Sequence, residues 1–425
     1  MKKSILFFFL MYVLLSCSNS SIQAFEEAGK NTLGYGAITL PTDYPEEKDT
    51  LRLSELADTL FYVRLEHPGL TDDCQVNYLD SLILVYDNQA VMAFDVDGKL
   101  LYQLPEKLGC LDVLPEGASF YLYNFRDRII KKYGFDGKER ATIRLGSEID
   151  TYGRNFVALS DTLFAISMMN VGYNPYELYF VNGEGKIIHR VKNREPYQPP
   201  IDVRVHHTIW HHRLFRNEDG CRYYPSYSDT LYEVRKDATI HPVMVENKIS
   251  KIPLKYRLEY SGQDFNQFVQ EMIDKGWNSV RHFETSRFHL VEYKIGGYSQ
   301  MLSNYLVYDK NNKKLYRTNS QLTSALKEAS LLHFGIFNDY DGGLAFAPSS
   351  QSGDYLVMVN ASGQQGKYNT RPKTLYKEGR MNGGKSYQVR SGVCKSSSHR
   401  QRLMDFFRDF DEKKHSMLMI VKPKK

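Results

Sequence analysis

A run of histidines is the stretch of this sequence with the clearest capacity for chemistry: His206, His207, His211 and His212 surround Trp210. Neutral imidazoles bind Zn²⁺, so converging histidines could hold a metal ion. The flanking residues are typical of a strand, which puts His207 and His211 on one face but about 13 Å apart, too far for two ligands of one ion. Histidines that pack or lie exposed on a strand are therefore the favoured interpretation, and zinc binding is the alternative.

A second candidate cation site lies at residues 338–343, where polar side chains alternate. Asp339 and Asp341 offer the oxygen ligands that Ca²⁺ prefers, although the rest of a calcium-binding loop is absent. A turn held by its own side chains is the favoured interpretation. We expect no cofactor, and Ca²⁺ or Zn²⁺ at one of these two sites is the alternative.

Tyrosines near residue 225 could bind a ligand by stacking. Tyr223, Tyr224 and Tyr227 offer faces on which a sugar or peptide could pack. The chain contains 31 tyrosines, so packing between strands is the favoured interpretation.

Residues 367–402 contain ten basic side chains and one acidic side chain, Glu378. We interpret this basic segment as an exposed loop inserted into the last part of the fold at about residues 364–402. Lys373, Lys377 and Arg380 are its candidate contacts with anionic lipid head groups, lipopolysaccharide or an acidic partner. A solvated insertion without a partner is the favoured alternative.

Familiar catalytic signatures are missing from the chain. The sequence has no G-x-S-x-G, no H-E-x-x-H and no phosphate-binding glycine loop. Glycoside cleavage requires two carboxylates at a set separation, and the sequence cannot select them from 50 acidic residues. The sequence therefore assigns no catalytic residue.

The first residues have the pattern of an export signal. Lys2 and Lys3 precede an apolar run that is too short to span a bilayer comfortably. The run ends in Leu14-Leu15-Ser16-Cys17, the pattern of a bacterial lipobox, whose cysteine thiol is alkylated before cleavage. We predict a signal peptide at residues 1–16, fatty chains on Cys17, and a polar tether over residues 17–49.

Four cysteines remain after Cys17: Cys74, Cys110, Cys221 and Cys394. An exported chain could oxidise them in three pairings, and isolated buried thiols are the safer interpretation. Their spacing does not favour a zinc site built on thiolates.

The charge of the 425-residue chain is unevenly distributed. The formal net charge is +5, with 42% hydrophobic and 25% charged residues, values that exclude collagen, long coiled coils and wholesale disorder. Removal of the signal peptide leaves +3, the basic segment contributes +9, and everything else sums to −6. The predicted mature protein is therefore an acidic body that carries one strongly basic segment.

A recurring hairpin is the element that must position the candidate site residues named above. Aromatic and aliphatic strands flank polar turns near residues 97, 136, 182, 236, 311 and 362, between 39 and 75 residues apart. Asp-Gly and Asn-Gly tolerate the positive φ of tight hairpins. Units of about 40–50 residues with several short strands predict the blades of a propeller.

Two helices and a ring closure complete the predicted fold. Apolar residues have helical spacing over residues 263–275, between blades four and five, and over residues 401–411. A ring of blades must close or leave sheet edges exposed. Residues 58–66 and 416–421 both resemble strands, and we predict that they meet in one blade.

Four passages resemble the six-bladed β-propeller lipoproteins of Gram-negative gut bacteria: residues 58–66, 227–234, 338–346 and 417–421. The resemblance covers about residues 50–425. It implies an all-β, six-bladed propeller with four-stranded blades and a lipid anchor, and it implies neither an agreed activity nor catalytic residues.

The sequence thus predicts a non-enzymatic binding or scaffold module that is tethered by lipid to the cell envelope, and we expect the outer membrane as its location. An envelope protein or a glycan is the expected partner, and the exported address argues against nucleic acid. The alternative is a hydrolase or lyase acting on glycans or related polymers at the mouth of the propeller channel, with or without a metal ion.

Overall fold

Short strands joined by tight turns make up most of the described chain, and in the computed structural model they form six sheets. The structure describes residues 38–40, 46–48, 51–71, 74–107, 109–149, 153–168, 175–194, 213–217, 220–225, 228, 230–246, 280–295, 302–318, 336, 338–340, 346–360, 397–408, 410–411 and 413–425. The sheets are the blades of a β-propeller, as the sequence predicts.

The first three strands of the chain belong to the last three blades. They are β1 (Ile38–Leu40) in blade 4, β2 (Glu46–Lys48) in blade 5 and β3 (Ala57–Leu65) in blade 6, and the short helix α1 (Leu53–Leu56) precedes β3. Blade 1 contains β4 (Gln75–Tyr78), β5 (Ile83–Tyr86), β6 (Ala90–Phe94) and β7 (Leu100–Pro105). Blade 2 contains β8 (Gly109–Leu114), β9 (Ser119–Asn124), β10 (Ile129–Gly134) and β11 (Glu139–Arg144). Blade 3 contains β12 (Gly153–Ser160), β13 (Leu163–Met168), β14 (Tyr176–Asn182) and β15 (Ile187–Lys192).

Blade 4 contains β16 (Arg213–Asn217), β17 (Gly220–Tyr224), β18 (Thr230–Val234) and β19 (Ile240–Glu246). Blade 5 contains β20 (Val280–Glu284), β21 (Phe288–Ile295), β22 (Leu302–Asp309) and β23 (Lys314–Thr318). Blade 6 contains β24 (Ser350–Ser352), β25 (Tyr355–Asn360) and β26 (Ser416–Pro423), and β3 is its outermost strand. The helix α2 (Ser397–Arg408) lies in the connection between β25 and β26.

The ring closes where the two ends of the described chain meet. β26 pairs antiparallel with β3 along its whole length, from Ser416 opposite Leu65 to Pro423 opposite Ala57. Its other edge pairs with β25, so β26 is an inner member of its sheet. The predicted meeting of residues 58–66 with residues 416–421 is confirmed.

Two strands lie within the segment that the sequence analysis interprets as a tether. β1 pairs in parallel with β19, and β2 pairs in parallel with β23, so each adds a fifth strand to the outer edge of a blade. Residues 38–40 and 46–48 of the predicted tether therefore pair with the ring. Unpaired backbone groups on the outer edges of blades 4 and 5 offer hydrogen bonds that a passing polar chain can take.

Six clusters of buried apolar side chains hold the ring together, one at each junction between neighbouring blades. Successive residues of a strand point to opposite faces, so each central strand serves two junctions. In β5, Ile83 and Val85 pack towards blade 6, whereas Leu84 and Tyr86 pack towards blade 2. This double burial explains the continuous apolar runs that the sequence shows in these strands.

The hairpin turns follow the predicted chemistry. The Asp95 carboxylate accepts a hydrogen bond from the Lys99 amide at 2.9 Å, and Asn182 does the same for Lys186 at 2.9 Å. Turns near residues 97, 136, 182, 236 and 311 are confirmed. The sixth, near residue 362, and the helix over residues 263–275 lie outside the described residues.

The helix before the closing strand begins earlier than the sequence predicts. α2 starts at Ser397 and ends at Arg408, so the last residues assigned to the basic loop are helical. Leu403 in α2 and Phe410 beyond its end are buried against blades 5 and 6, and the Phe406 ring lies 5.6 Å from that of Tyr62. The apolar face starts only at Leu403, which is why spacing alone places the helix start too late.

Candidate functional site

The six innermost strands surround a cavity of about 220 Å³ along the axis of the ring. Each blade contributes one strand to its wall, so the cavity is the central channel of the propeller. Every blade contributes polar side chains to this wall, among them Gln75, Asp112, Asn155, Arg216, Arg281, His282 and Gln351.

Side chains bridge neighbouring blades around this channel. Gln75 accepts a hydrogen bond from the amide of Leu111 at 2.9 Å, which joins blades 1 and 2. Ser350 and Ser352 bond to the backbones of Val76 and Tyr78, which joins blades 6 and 1. The backbone edges of inner strands are thus satisfied by polar side chains, as buried edges require.

Asp112 and Arg216 form an ion pair that spans three blades. The two side chains approach to 2.8 Å, and the Asp112 carboxylate also accepts the amide proton of Ala158 at 2.8 Å. Arg216 donates to the carbonyl oxygen of Ala158. Burial alone would lower the pKa of Arg216, but the Asp112 carboxylate raises the pKa above its ordinary value.

A larger charged network lies beside the channel, around Glu284 at the end of β20. Its carboxylate accepts hydrogen bonds from Arg222 at 2.6 Å, from Lys310 at 2.9 Å and from Asn217 at 2.9 Å. Gln351 bonds to both backbone groups of Glu284. The network therefore ties blades 4, 5 and 6 together.

The charge state of Glu284 follows from its neighbours. The side chain is only 6% exposed, and burial alone would raise the pKa of its carboxyl group. The charges of Arg222 and Lys310 outweigh burial and lower the pKa below its ordinary value. Glu284 is thus ionised and fully engaged by cations.

Two buried histidines lie on neighbouring strands of blade 5, His282 on β20 and His289 on β21. The Nδ1 atom of His282 and the Nε2 atom of His289 are 3.1 Å apart, and the Tyr224 ring lies 4.0 Å from that of His282. Burial, with the charges of Lys310 and Arg222, lowers the pKa of His289 to about 3. His289 is therefore neutral at physiological pH.

Arg281 is the second guanidinium in the channel wall. It faces Glu292 with 3.6 Å between Nε and Oε2, and Glu292 is 3% exposed. The Arg281 side chain retains 20% exposure, similar to the 21% of Arg216. Both arginines line the channel, where Asp112 lies beside Arg216, whereas Glu292 is not part of the wall.

Three of the predicted site residues lie within the described part of the chain: Asp339, Tyr223 and Tyr224. Asp339 is 1% exposed, and its two oxygens accept from the amide of Ser54 at 2.9 Å and from its hydroxyl at 2.6 Å. The carboxylate therefore holds the start of α1. Within the described residues, no three His, Cys, Asp or Glu side chains are grouped to hold a metal ion.

The predicted stacking tyrosines are packed inside blade 4. Tyr223 is 0% exposed and donates to the carbonyl oxygen of Glu177 at 3.4 Å, while Tyr224 is 4% exposed. Neither ring offers an open face to a sugar. The other predicted contacts lie outside the described residues: Cys17, His207, His211, Tyr227, Asp341, Lys373, Lys377 and Arg380.

The described cysteines are thiols, and Cys74 and Cys110 lie in the channel wall. Cys74, Cys110 and Cys221 are buried. Burial raises the pKa of Cys221 to about 11, so its thiol stays protonated. Cys394 lies outside the described residues.

The connections between strands differ sharply between the two ends of the ring. At one end, hairpin turns such as those between β6 and β7 or between β14 and β15 are tight. The four long connections leave from the other end, where they join β15 to β16, β19 to β20, β23 to β24 and β25 to β26. We call this end the long-connection face.

Among the described residues, no helix is long and apolar enough to cross a membrane.

No curated protein matches the chain. A solved structure from Bacteroides fragilis, described as an exported protein, matches 92% of this chain and 100% of its own, with 14% identity and a TM-score of 0.59. It shares the fold.

Two weaker structural matches also come from Bacteroides. A member of the DUF4221 family from Bacteroides vulgatus has 8% identity and a TM-score of 0.42, covering 64% of this chain and 87% of its own. A protein of unknown function from Bacteroides caccae has 11% identity and a TM-score of 0.37, covering 59% and 82%. A family model matches residues 37–377, most of the ring, and the chain belongs to that family, the domain of unknown function DUF4934.

Proposed function

We propose that this protein is a lipid-anchored binding module of the cell envelope, which engages an envelope protein or a glycan through its long-connection face and performs no catalysis. The observation that carries the proposal is the gathering of all four long connections at one end of the ring. Loops on a rigid scaffold are where binding residues concentrate. The six-bladed ring supplies that scaffold.

The sequence content of these connections supports the proposal. The histidine run lies between β15 and β16, and the basic segment lies between β25 and β26. The chemically distinctive stretches of the chain therefore leave the ring at the same end. Chance would distribute insertions over both ends, because the blades have turns at each.

The charges around the channel favour binding over the alternative hydrolase or lyase. A general acid or base needs a proton that it can exchange near neutral pH. Asp112 and Glu284 are each paired with cations, and His289 is neutral and buried. These groups stabilise the ring. Their structural role supports a non-enzymatic function.

The address of the protein follows from its first residues. Alkylation of Cys17 would anchor the mature chain to a membrane, and we place it on the outer membrane of a Gram-negative envelope. The ring then stands on the residues that follow Cys17, at the outer edge of blade 4, where β1 pairs with β19.

Photo-crosslinking tests which end of the ring binds. A photoreactive residue replaces Gln89 or Arg126, two exposed turn residues at the long-connection end, in the lipidated protein in its native membrane. We expect both positions to capture the same envelope component. The matched controls are Asp97 and Glu184, exposed turn residues at the opposite end, which should capture nothing above background.

Equal capture from both ends, or capture from Asp97 and Glu184 alone, would contradict the assignment of the binding face. Absence of any specific product from all four positions would argue against a stable partner.

A further inference from the structure

We infer that the central channel binds a small ligand with an oxyanion group, a carboxylate or a phosphate, through Arg216 and Arg281. This inference goes beyond the proposed function and does not depend on it, because the channel wall and the long-connection face are different surfaces. The inference rests on the charged side chains that a molecule entering the channel would contact.

Arg216 presents donors that the protein itself does not use. Its Nε and Nη2 groups bond to Asp112 and to the carbonyl oxygen of Ala158. Within the described part of the chain, no acceptor bonds its Nη1 group. The ion pair with Asp112 also fixes the orientation of the guanidinium, so little conformational freedom remains to be lost on binding.

Arg281 is arranged in the same way one blade further round. Its Nε group faces Glu292 at 3.6 Å, and this is the only ion pair of its guanidinium within the described residues. The remaining N–H groups belong to a side chain that is one-fifth exposed in the channel wall. Guanidinium groups match the geometry of carboxylate and phosphate oxygens.

The charges near the channel sum to a positive value. Four cations, Arg216, Arg222, Arg281 and Lys310, face three carboxylates: Asp112, Glu284 and Glu292. Of these charged groups, Arg216, Arg281 and Asp112 line the channel, and Asp112 is 6% exposed and paired with Arg216, so cations predominate in the wall. Burial is the main cause of the low pKa of His289, and the charges of Lys310 and Arg222 lower that pKa further, in keeping with this field.

This arrangement is unexpected in the acidic body of this protein. Outside the basic segment, the predicted mature chain has a formal charge of −6, yet its channel carries surplus positive charge. A cavity of about 220 Å³ accommodates a small metabolite and not a folded partner.

Calorimetric titration of the full mature protein tests the inference. Inorganic phosphate and succinate are the two oxyanion probes, and glucose is the neutral control. We expect saturable binding of at least one oxyanion and no heat from glucose. Comparison of phosphate with succinate then identifies which oxyanion the channel prefers.

Variants locate the binding. Arg281→Gln combined with Glu292→Gln removes the guanidinium without leaving a buried carboxylate unpaired, and Arg216→Lys keeps the charge but loses the planar fork. We expect each to weaken binding at least tenfold. The matched control is Arg190→Gln with Glu148→Gln, which neutralises an exposed pair at 3.3 Å on the outside of the ring.

Thermal midpoints that are unchanged without ligand would show that the variants remain folded. If one channel variant is unfolded, the affinity of the other channel variant tests the inference. Absence of oxyanion binding to the wild type would overturn the inference. So would full affinity in both channel variants, or loss of affinity when Lys373, Lys377 and Arg380 are replaced by glutamine, because the anion would then bind the basic segment.

Discussion

Glu284 is the residue at which three blades converge. Asn217 and Arg222 reach its carboxylate from blade 4, Lys310 reaches it from within blade 5, and Gln351 of blade 6 bonds to its backbone. A buried ion pair is weak support for stability by itself, but removal of one partner leaves an uncompensated charge. The network is therefore sensitive to single substitutions.

Glu284→Gln tests this network. The change leaves Arg222 and Lys310 buried without a counter-charge, so we expect a loss of about 3–5 kcal/mol in the free energy of unfolding. Urea denaturation measures the loss. The control is Asp136→Asn, which removes an exposed turn carboxylate near Arg140 and should leave the free energy of unfolding almost unchanged. Equal effects of the two substitutions would show that the network contributes nothing special.

His289 predicts how stability depends on pH. Its pKa is about 3 in the folded protein and near 6.5 when unfolded, so the unfolded chain binds the extra proton between these values. Stability should fall by about 1.4 kcal/mol per pH unit from this site as the pH drops below 6.5. His289→Gln should flatten this slope in urea titrations at several pH values. An unchanged slope in the variant would contradict the assignment.

Glu284 contributes in a lower window. Its folded pKa is depressed, so its stabilisation is present above the ordinary glutamate pKa and is lost as the pH falls through the folded value. The two groups can therefore be distinguished by the pH at which the free energy of unfolding begins to fall, below about 6.5 for His289 and below the ordinary glutamate pKa for Glu284.

Single residues were the hardest feature to predict from the sequence. Asp112 and Arg216 are 104 positions apart, and Arg222 and Glu284 are 62 apart, so no local spacing marks them as pairs. The histidine run and the tyrosines attract attention by composition instead. Charge pairs across a ring become visible only when the blades are placed.

At the scale of elements, a hairpin turn can also pack on the preceding blade of the ring. Gly98, in the turn between β6 and β7, has a φ of +90°, and its carbonyl oxygen accepts a hydrogen bond from the amide of Glu66 at 2.8 Å. A Cβ at this position would lie 2.0 Å from the carbonyl oxygen of Arg64 in β3. The turn thus packs directly on the strand that closes the ring.

Gly98→Ala should destabilise the junction between blades 6 and 1. We expect a loss of at least about 2 kcal/mol, because the substitution adds a backbone clash to an unfavourable φ. Gly69→Ala is the matched control, since Gly69 has a φ of +81° but a Cβ added there would meet no atom within 4 Å. Denaturant midpoints measure both. A Gly98→Ala loss no greater than that of Gly69→Ala would contradict the packing.

Elements with a repeating pattern were predictable, and short isolated ones were not. The turn residues and the continuous apolar strands identify the blades, since both chemistries recur along the chain. β1 and β2 are three residues long and pair in parallel, so they carry no alternation that a sequence pattern could reveal. The positions of β1 and β2 are set by pairing with the outer strands of blades 4 and 5, β19 and β23.

At the scale of the whole molecule, closure of the ring depends on the last strand. Removal of residues 413–425 deletes β26, which pairs with both β25 and β3. We expect the truncated chain to fail to fold in soluble form, because blade 6 would lose its centre and the ring would open. Soluble yield and circular dichroism measure this. Deletion of residue 425 alone is the control, and a truncated protein with an unchanged thermal midpoint would contradict the closure.

The whole molecule is thus a closed ring whose two ends differ. One end is finished by tight turns, and the other carries the long connections and the distinctive sequence stretches. A lipid on Cys17 would hold this asymmetric body at a membrane and set which partners its long-connection face can reach.

Affinity capture from the native membrane tests the central claim most directly. Tagged wild-type protein is isolated from detergent-solubilised envelopes, with Cys17→Ala as the unanchored control. We predict that the wild type co-purifies with one reproducible envelope component and that the unanchored variant does not. Recovery of clean monomer that turns over glycans would contradict the account, since the ring would then be an enzyme and not a binding module.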